Sequence, residues 1–205
     1  NAELEGKVRQ FGWRKTPSQT TTADVWFDLS MSPGNPTPKY WFDAAPLVAK
    51  AVYQSTDGGF FHGADVSPST KFLRNFTALT PTITALPLTL WLCDYLLYYP
   101  STDDGVTTPQ VMDNTVTLPR YTDGDGVQMV AITVAARTGG QQFYVTYTNS
   151  DGVAGRTSQT VTQNAVTAIG TVCTSATAVQ ASGNPFIGLQ DGDSGVRSIE
   201  SITML

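Results

Sequence analysis

At 205 residues the chain can bury the core of one large β domain, or of one domain with an insertion. Only 14% of residues are charged, the net charge is −5, and Lys and Arg are scattered singly, which excludes a basic stripe and with it direct nucleic-acid binding. Two cysteines and one histidine leave no zinc constellation, and the most apolar stretch, Leu86 to Tyr99, is too short for a bilayer and carries Pro87 and Asp94, so no membrane span is expected.

Residues 1–23 open with charge, pass Phe11 and Gly12-Trp13, and run into Thr16-Pro-Ser-Gln-Thr-Thr-Thr22. This composition predicts an extended N-terminal arm and linker that packs on a neighbour, because it carries too little apolar surface for a core of its own. Asp24 to Ser30 alternates Val25, Phe27 and Leu29 against polar residues, Trp26 excepted, and predicts the first core strand. Three prolines within Ser32-Pro-Gly-Asn-Pro-Thr-Pro38 predict a loop. Tyr40-Trp-Phe-Asp43 then leads into the one helix expected. Asp43 is placed to cap it, Pro46 falls in its first turn, Leu47, Val48, Ala51 and Val52 share a face, and it ends near Ser55.

From Phe72 strand material resumes, through Phe72–Thr77, Pro81–Pro87 and the apolar Leu88–Tyr99. Gln110 to Leu118 predicts a further strand. The clearest local signals lie between Val127 and Val161. Val127–Ala135 is apolar on nearly every residue, as in a strand buried on both faces. Phe143–Thr148 alternates, with Phe143, Val145 and Tyr147 on one side and Thr146 and Thr148 on the other. Arg156–Val161 is polar and β-branched and reads as an exposed partner. Gly139-Gly140 joins the first two runs by a tight turn and a loop closed by Gly155 joins the second and third, which predicts an antiparallel meander. Runs at 166–179, 186–189 and 196–204 bring the count to about eight to ten strands, the number of a two-sheet sandwich or jelly roll. The expectation is thus an all-β fold with one short helix, an antiparallel sandwich over 24–205 with a helix-containing insertion near 31–71. Cys93 and Cys173 are expected as two buried free thiols. The chain opens on Asn1 and closes inside a strand-like run, so an excerpt of a longer or processed protein is expected.

Three patterns bear on chemistry. Gly192-Asp193-Ser194-Gly195 is similar to the nucleophile loop of chymotrypsin-like serine proteases, and His62 precedes Ser194 as in that family. The flanking Val196, the Phe-Phe-His-Gly context of His62 and the lack of a marked third carboxylate depart from it, and a Gly/Asp/Ser turn accounts for the same residues. Asp123 with Asp125, and Asp191 with Asp193, are spaced to chelate calcium, yet Asp-Gly is also the commonest turn dipeptide, so no metal is expected. Tyr40, Trp41, Phe60 and Phe61, with Phe11 and Trp13 of the arm, lie in loop-like sequence where a monomer gains little from aromatics. They are the expected subunit contacts.

The passages Trp41–Gly63, Leu73–Pro81 and Gln142–Gly155 resemble structural proteins of tailed bacteriophages, and the resemblance extends over most of the chain. It supplies no catalytic signature and no functional residue. It implies a virion component of the capsid decoration (cement) type, built on a jelly-roll or related β domain. Such a protein sits on the outer capsid surface, commonly as a trimer, and straps major capsid proteins together after assembly in the host cytoplasm. The expected partners are therefore the major capsid protein and the chain itself, with no cofactor and no enzymatic activity. A tail or baseplate component and a carbohydrate-binding attachment module are the alternatives, and a serine hydrolase using Ser194 and His62 is the most distant one.

Overall fold

The computed structural model describes residues 8–16, 25–38, 45–52, 57–61, 69–80, 89–135, 137–174 and 184–205. They form an all-β protein. The named strands are β1 (Arg14–Lys15), β2 (Gly34–Asn35), β3 (Lys50–Ala51), β4 (Leu97–Tyr98), β5 (Gln110–Val111), β6 (Gln142–Asn149), β7 (Arg156–Thr157), β8 (Val161–Thr162) and β9 (Val196–Met204). Among the described residues one 3-10 turn is formed, at Leu29–Met31. The chain divides into two compact units, Asn1–Phe11 with Phe61–Asp94, and Gly12–Phe60 with Tyr95–Leu205. No helix among the described residues is long and apolar enough to cross a membrane.

The second unit is built on an antiparallel sheet in the order β5-β9-β6-β7, with β8 also paired to β6. The alternation of β6 sends Phe143, Val145 and Tyr147 into the core together with Asn149, and Thr146 and Thr148 to the opposite face. Its long partner is β9, from Phe143–Met204 to Asn149–Val196, with register shifts after Thr146 and Thr148. Met129, Val161, Ile187, Val196 and Met204 close the core around the β6 side chains. Eight such buried residues contribute roughly 1.5–3 kcal/mol each, so this cluster is the main stabilising feature of the unit.

β9 would be an open edge beyond its short pairing with β5, and side chains cover it. The Asn114 amide donates to the carbonyl of Ile199 (2.8 Å), the Ile199 N–H donates to the Tyr99 hydroxyl (3.3 Å), and that hydroxyl donates to Asn114 Oδ1 (2.7 Å). Two side chains thereby satisfy the backbone groups that a further strand would otherwise bond. The far side of β5 continues through a parallel bridge between Val48 and Asp113 to the β3–β4 pair.

Several expectations give way here. The helix expected at 43–55 is absent over the described residues 45–52. Leu47 has φ +62°, Val48 bridges Asp113, and Lys50–Ala51 form β3, because two neighbouring segments offer the backbone bonds that an isolated helix of this length lacks the propensity to hold. Val127–Ala135 does not pair with β6; the meander is broken, and β9, distant in sequence, takes the place beside β6. The 127–135 run instead bonds residues 171–173, 187 and 196 one at a time, including Cys173 N–H to the Ala131 carbonyl (2.8 Å). Arg156–Val161 divides into two short pairings, and Val161 is fully buried instead of exposed. Described residues 71–80 and 89–94 form no strand, and Cys93 is exposed, whereas Cys173 is buried and its thiol is pushed up by desolvation.

Within the expected arm, β1 pairs with β2 of the same chain. The Lys15 ammonium donates to the carbonyls of Ser30 (3.1 Å), Ser32 (3.1 Å) and Pro36 (2.6 Å). Trp13 packs its ring on Phe60, with centroids 5.1 Å apart, and its indole N–H donates to the Gly58 carbonyl (3.1 Å). Asp28, half-buried at the start of the 3-10 turn, caps the N–H of Ser30 (2.8 Å) and is pushed up by desolvation, while desolvation lowers Lys15.

Candidate functional site

The polar loops singled out in the sequence meet at one end of the β6–β9 pair. Tyr147, fully buried, sends its hydroxyl out of the core between two bonds: it accepts from the Gln190 N–H (2.8 Å) and donates to Asp193 Oδ2 (2.6 Å). Two residues along β6, the Asn149 amide donates to Asp193 Oδ1 (2.8 Å). The Arg156 Nε at the start of β7 donates to Asp193 Oδ2 (3.0 Å). The Asp193 side chain is 3% exposed, so its charge is compensated by three donors in place of water. The Arg156 bond, with help from Tyr147 and Asn149, outweighs desolvation and holds the carboxyl at about 2. Desolvation and the anionic acceptor push Tyr147 up to about 12. Arg156 is raised by the same pairing.

Asn149 also closes the loop that follows β6. Its Oδ1 accepts from the Val153 N–H (2.9 Å), and its own N–H donates to the Val153 carbonyl (3.0 Å). Glu200, at the bulge of β9, accepts from Thr148 Oγ1 (2.8 Å) and from the Gly155 N–H (3.0 Å). The loop between β6 and β7 is thus fastened at both of its ends by side chains.

Ser194 lies on the exposed side of the cluster. Its hydroxyl donates to Asp125 Oδ1 (2.7 Å), so the contact with Ser150 Oγ (3.0 Å) is donated by Ser150, since a hydroxyl has one proton. Around it the backbone closes tightly. The Gly126 N–H donates to the Ser194 carbonyl (3.2 Å), the Ser150 N–H to the Gly195 carbonyl (3.0 Å), and Asp125 bridges Gly195. A Cβ on Gly195 would stand 2.0 Å from the Gly124 carbonyl oxygen, so the final glycine of the motif serves a backbone crossing. Arg197 spans both loops, donating to the carbonyls of Ser150 (2.7 Å) and Asp123 (3.2 Å).

This chemistry is that of a fastening. A carboxylate held near 2 is a poor proton acceptor at neutral pH, and a phenol near 12 a poor donor. The protease-like motif places Ser194 against Asp125 and Ser150, and His62 lies outside the described residues. Of the calcium candidates, Asp193 has both oxygens bonded within the protein, Asp125 accepts from Ser194, Asp123 accepts the Asp125 N–H (3.2 Å), and Asp191 is exposed. Among the described residues no three His, Cys, Asp or Glu side chains gather as a metal site.

The aromatic candidates separate. Trp13 and Phe60 are engaged with one another, Phe11 and Phe61 are exposed, and Tyr40 and Trp41 lie outside the described residues. The larger apolar exposure was missed from sequence. Phe72, Leu73, Leu79, Leu90, Trp91 and Leu92 all stand out to solvent on backbone that belongs to no strand. The spacing of 72, 73, 76 and 79 is that of a helical face, yet residues 71–80 form neither helix nor strand, so no periodicity in the sequence signalled this exposure. No family model, curated protein or solved structure matches this chain.

Proposed function

We propose that this chain is a structural protein of a tailed-phage virion, a capsid decoration protein with a jelly-roll-like body that binds the outer surface of the head and bridges major capsid proteins without performing chemistry. The observation that carries the reading is the exposed apolar segment of the first unit, where Phe72 is 85% and Leu79 91% accessible. A monomeric chain gains nothing from such side chains, whereas an assembly protein buries them on a partner. The fastening of Asp193 and Ser194 supports the same reading, because the residues most suggestive of catalysis are spent on joining loops. The loops so held present a firm polar end to a neighbouring surface.

The test is co-sedimentation of the purified chain with expanded, decoration-free phage heads, beside unexpanded heads and isolated tails. Saturable binding to expanded heads is expected. Binding to tails alone would transfer the protein to the tail or baseplate, and failure to bind any particle would overturn the virion reading.

A further inference from the structure

We infer that the peptide bond between Asp191 and Gly192 is a site of spontaneous covalent modification, where the Asp191 carboxyl closes onto the following nitrogen and reopens as isoaspartate. The reaction needs no partner, so it is independent of the assembly reading.

The sequence carries six Asp-Gly dipeptides, at 57–58, 104–105, 123–124, 125–126, 151–152 and 191–192. Each holds a carboxyl beside a backbone nitrogen whose residue has no side chain to obstruct ring closure. The nitrogen attacks Cγ of the protonated carboxyl. Its proton and the side-chain OH leave as one water, and a succinimide ring forms. Water then adds back at a ring carbonyl. Addition at the main-chain carbonyl carbon breaks the original C–N bond and leaves the chain running through the side chain. One water is lost and one regained, and nothing is oxidised or reduced. The attack is intramolecular, so its rate depends on how freely the nitrogen and the carboxyl reach one another.

The structure separates the six. Four of the glycine N–H groups are held: Gly105 donates to Asp103 Oδ1 (2.8 Å), Gly124 to the Tyr121 carbonyl (2.7 Å), Gly126 to the Ser194 carbonyl (3.2 Å) and Gly152 to the Asn149 carbonyl (3.0 Å). In the fifth dipeptide Asp57 is buried, which keeps from it the water that reopens the ring. Asp191 and Gly192 are both exposed. Among the described residues the peptide joining them makes no hydrogen bond at its N–H or its carbonyl, and the Asp191 carboxylate makes none either. The local turn is the reason. The Asp193 N–H donates to the Gln190 carbonyl (3.1 Å), and Gly192 has φ +90° while Asp191 stays outside the left-handed region, so the two are the central residues of a type II turn. Such a turn bonds its outer groups and leaves its central peptide to water, free to rotate toward the carboxyl. At 123–124 and 151–152 the glycine is instead the last residue of its turn, and its N–H is the one that closes it.

The product adds one methylene to the backbone between two anchors of the joint. On one side the Gln190 N–H donates to the Tyr147 hydroxyl (2.8 Å) and Gln190 Oε1 accepts from the Thr157 N–H (3.1 Å). On the other, Asp193 accepts from Tyr147, Asn149 and Arg156. A longer chain between them breaks the turn bond or shifts an anchor, so the modified protein is less stable.

The experiment ages the full chain at body temperature in mildly acidic buffer, native and in concentrated urea. Isoaspartate is located by peptide mapping after labelling with an isoaspartate-specific methyltransferase. In the native protein it is expected at Asp191 several-fold faster than at the other five dipeptides, and urea should bring the six rates together, because unfolding removes the bonds that distinguish them. Asp191→Glu, which must close a larger ring, should lose the native-state signal and keep its thermal midpoint through ageing, while the midpoint of aged wild type falls. Native protein in which Asp191 isomerises no faster than Asp151, or not at all, overturns the inference. A native ranking that persists unchanged in urea overturns it too, since the preference would then belong to the sequence and not to the turn.

Discussion

The Tyr147 hydroxyl stands 2.6 Å from Asp193 Oδ2, joining a fully buried position of β6 to the loop that precedes β9. Through this one bond the central strand holds the Gly-Asp-Ser-Gly loop, and through Asn149 and Arg156 the same carboxylate holds the loop between β6 and β7. Tyr147→Phe keeps the ring packing but strips Asp193 of a donor and leaves the Gln190 N–H without its acceptor. A loss of about 2 kcal/mol in unfolding free energy is expected, read from urea denaturation with an unchanged m-value. A variant as stable as the wild type would show that the bond is dispensable.

Stability should fall in acid because of Asp193. Its carboxyl titrates near 3.8 in the unfolded chain and at about 2 in the folded one, so between these values unfolding takes up a proton. The contribution is complete above about pH 4 and disappears as pH drops through 2. Asp28 acts with the opposite sign and in a different window: burial raises it above 3.8 and favours its neutral form, so its effect is a gain in stability as pH falls toward 3.8, above the range that Asp193 controls. In Asp193→Asn the limb between pH 4 and 2 should flatten, as measured by thermal midpoint against pH.

The alkaline side follows from Tyr147. Its phenol is raised from 10 to about 12, so its contribution is complete below pH 10 and is lost as pH rises through 12. Tyr147→Phe should remove that loss, leaving a flatter midpoint between pH 10 and 12 than the wild type. An identical alkaline slope in the two proteins would locate the titration elsewhere.

Two glycines of the same loops should differ in what they tolerate. Gly195→Ala drives a methyl to 2.0 Å from the Gly124 carbonyl oxygen, an obstruction made of backbone, and a loss of about 3 kcal/mol or more is expected. Gly126→Ala meets no atom within 4 Å and is opposed only by its φ of +71°, so about 1 kcal/mol is expected. Thermal denaturation of both variants checks the order, and Ser194→Ala, which removes one exposed hydroxyl, should lie between the wild type and Gly126→Ala.

The β1 clasp should open when Lys15 is neutralised. Lys15→Met removes three bonds to the carbonyls of Ser30, Ser32 and Pro36, leaving those acceptors short of a donor. Release of β1 should separate Trp13 from Phe60, and chymotrypsin should then cut at Phe11 or Trp13 several-fold faster than in the wild type. Equal cleavage rates would mean that the two-residue pairing with β2 suffices.

Local pattern determined much of this protein. The strict alternation of Phe143 to Thr148 marked β6 and its core face, Val196–Met204 was legible as a strand, and the excess of threonine, valine and glycine over charge selected an all-β fold, because side-chain period and backbone preference are properties of neighbouring residues. The positions of Asp193 and Ser194 in a turn followed from glycine spacing for the same reason. Which strands pair, and what the turns then hold, was decided only in three dimensions. β9 displaced 127–135 from beside β6, residues 45–52 exchanged a helical pattern for bridges to 97–98 and 113, and a tyrosine hydroxyl forty-six residues away made Asp193 the joint between β6 and two loops. Those outcomes rest on backbone donors and buried charges seeking partners across long separations, and no window of sequence contains both partners.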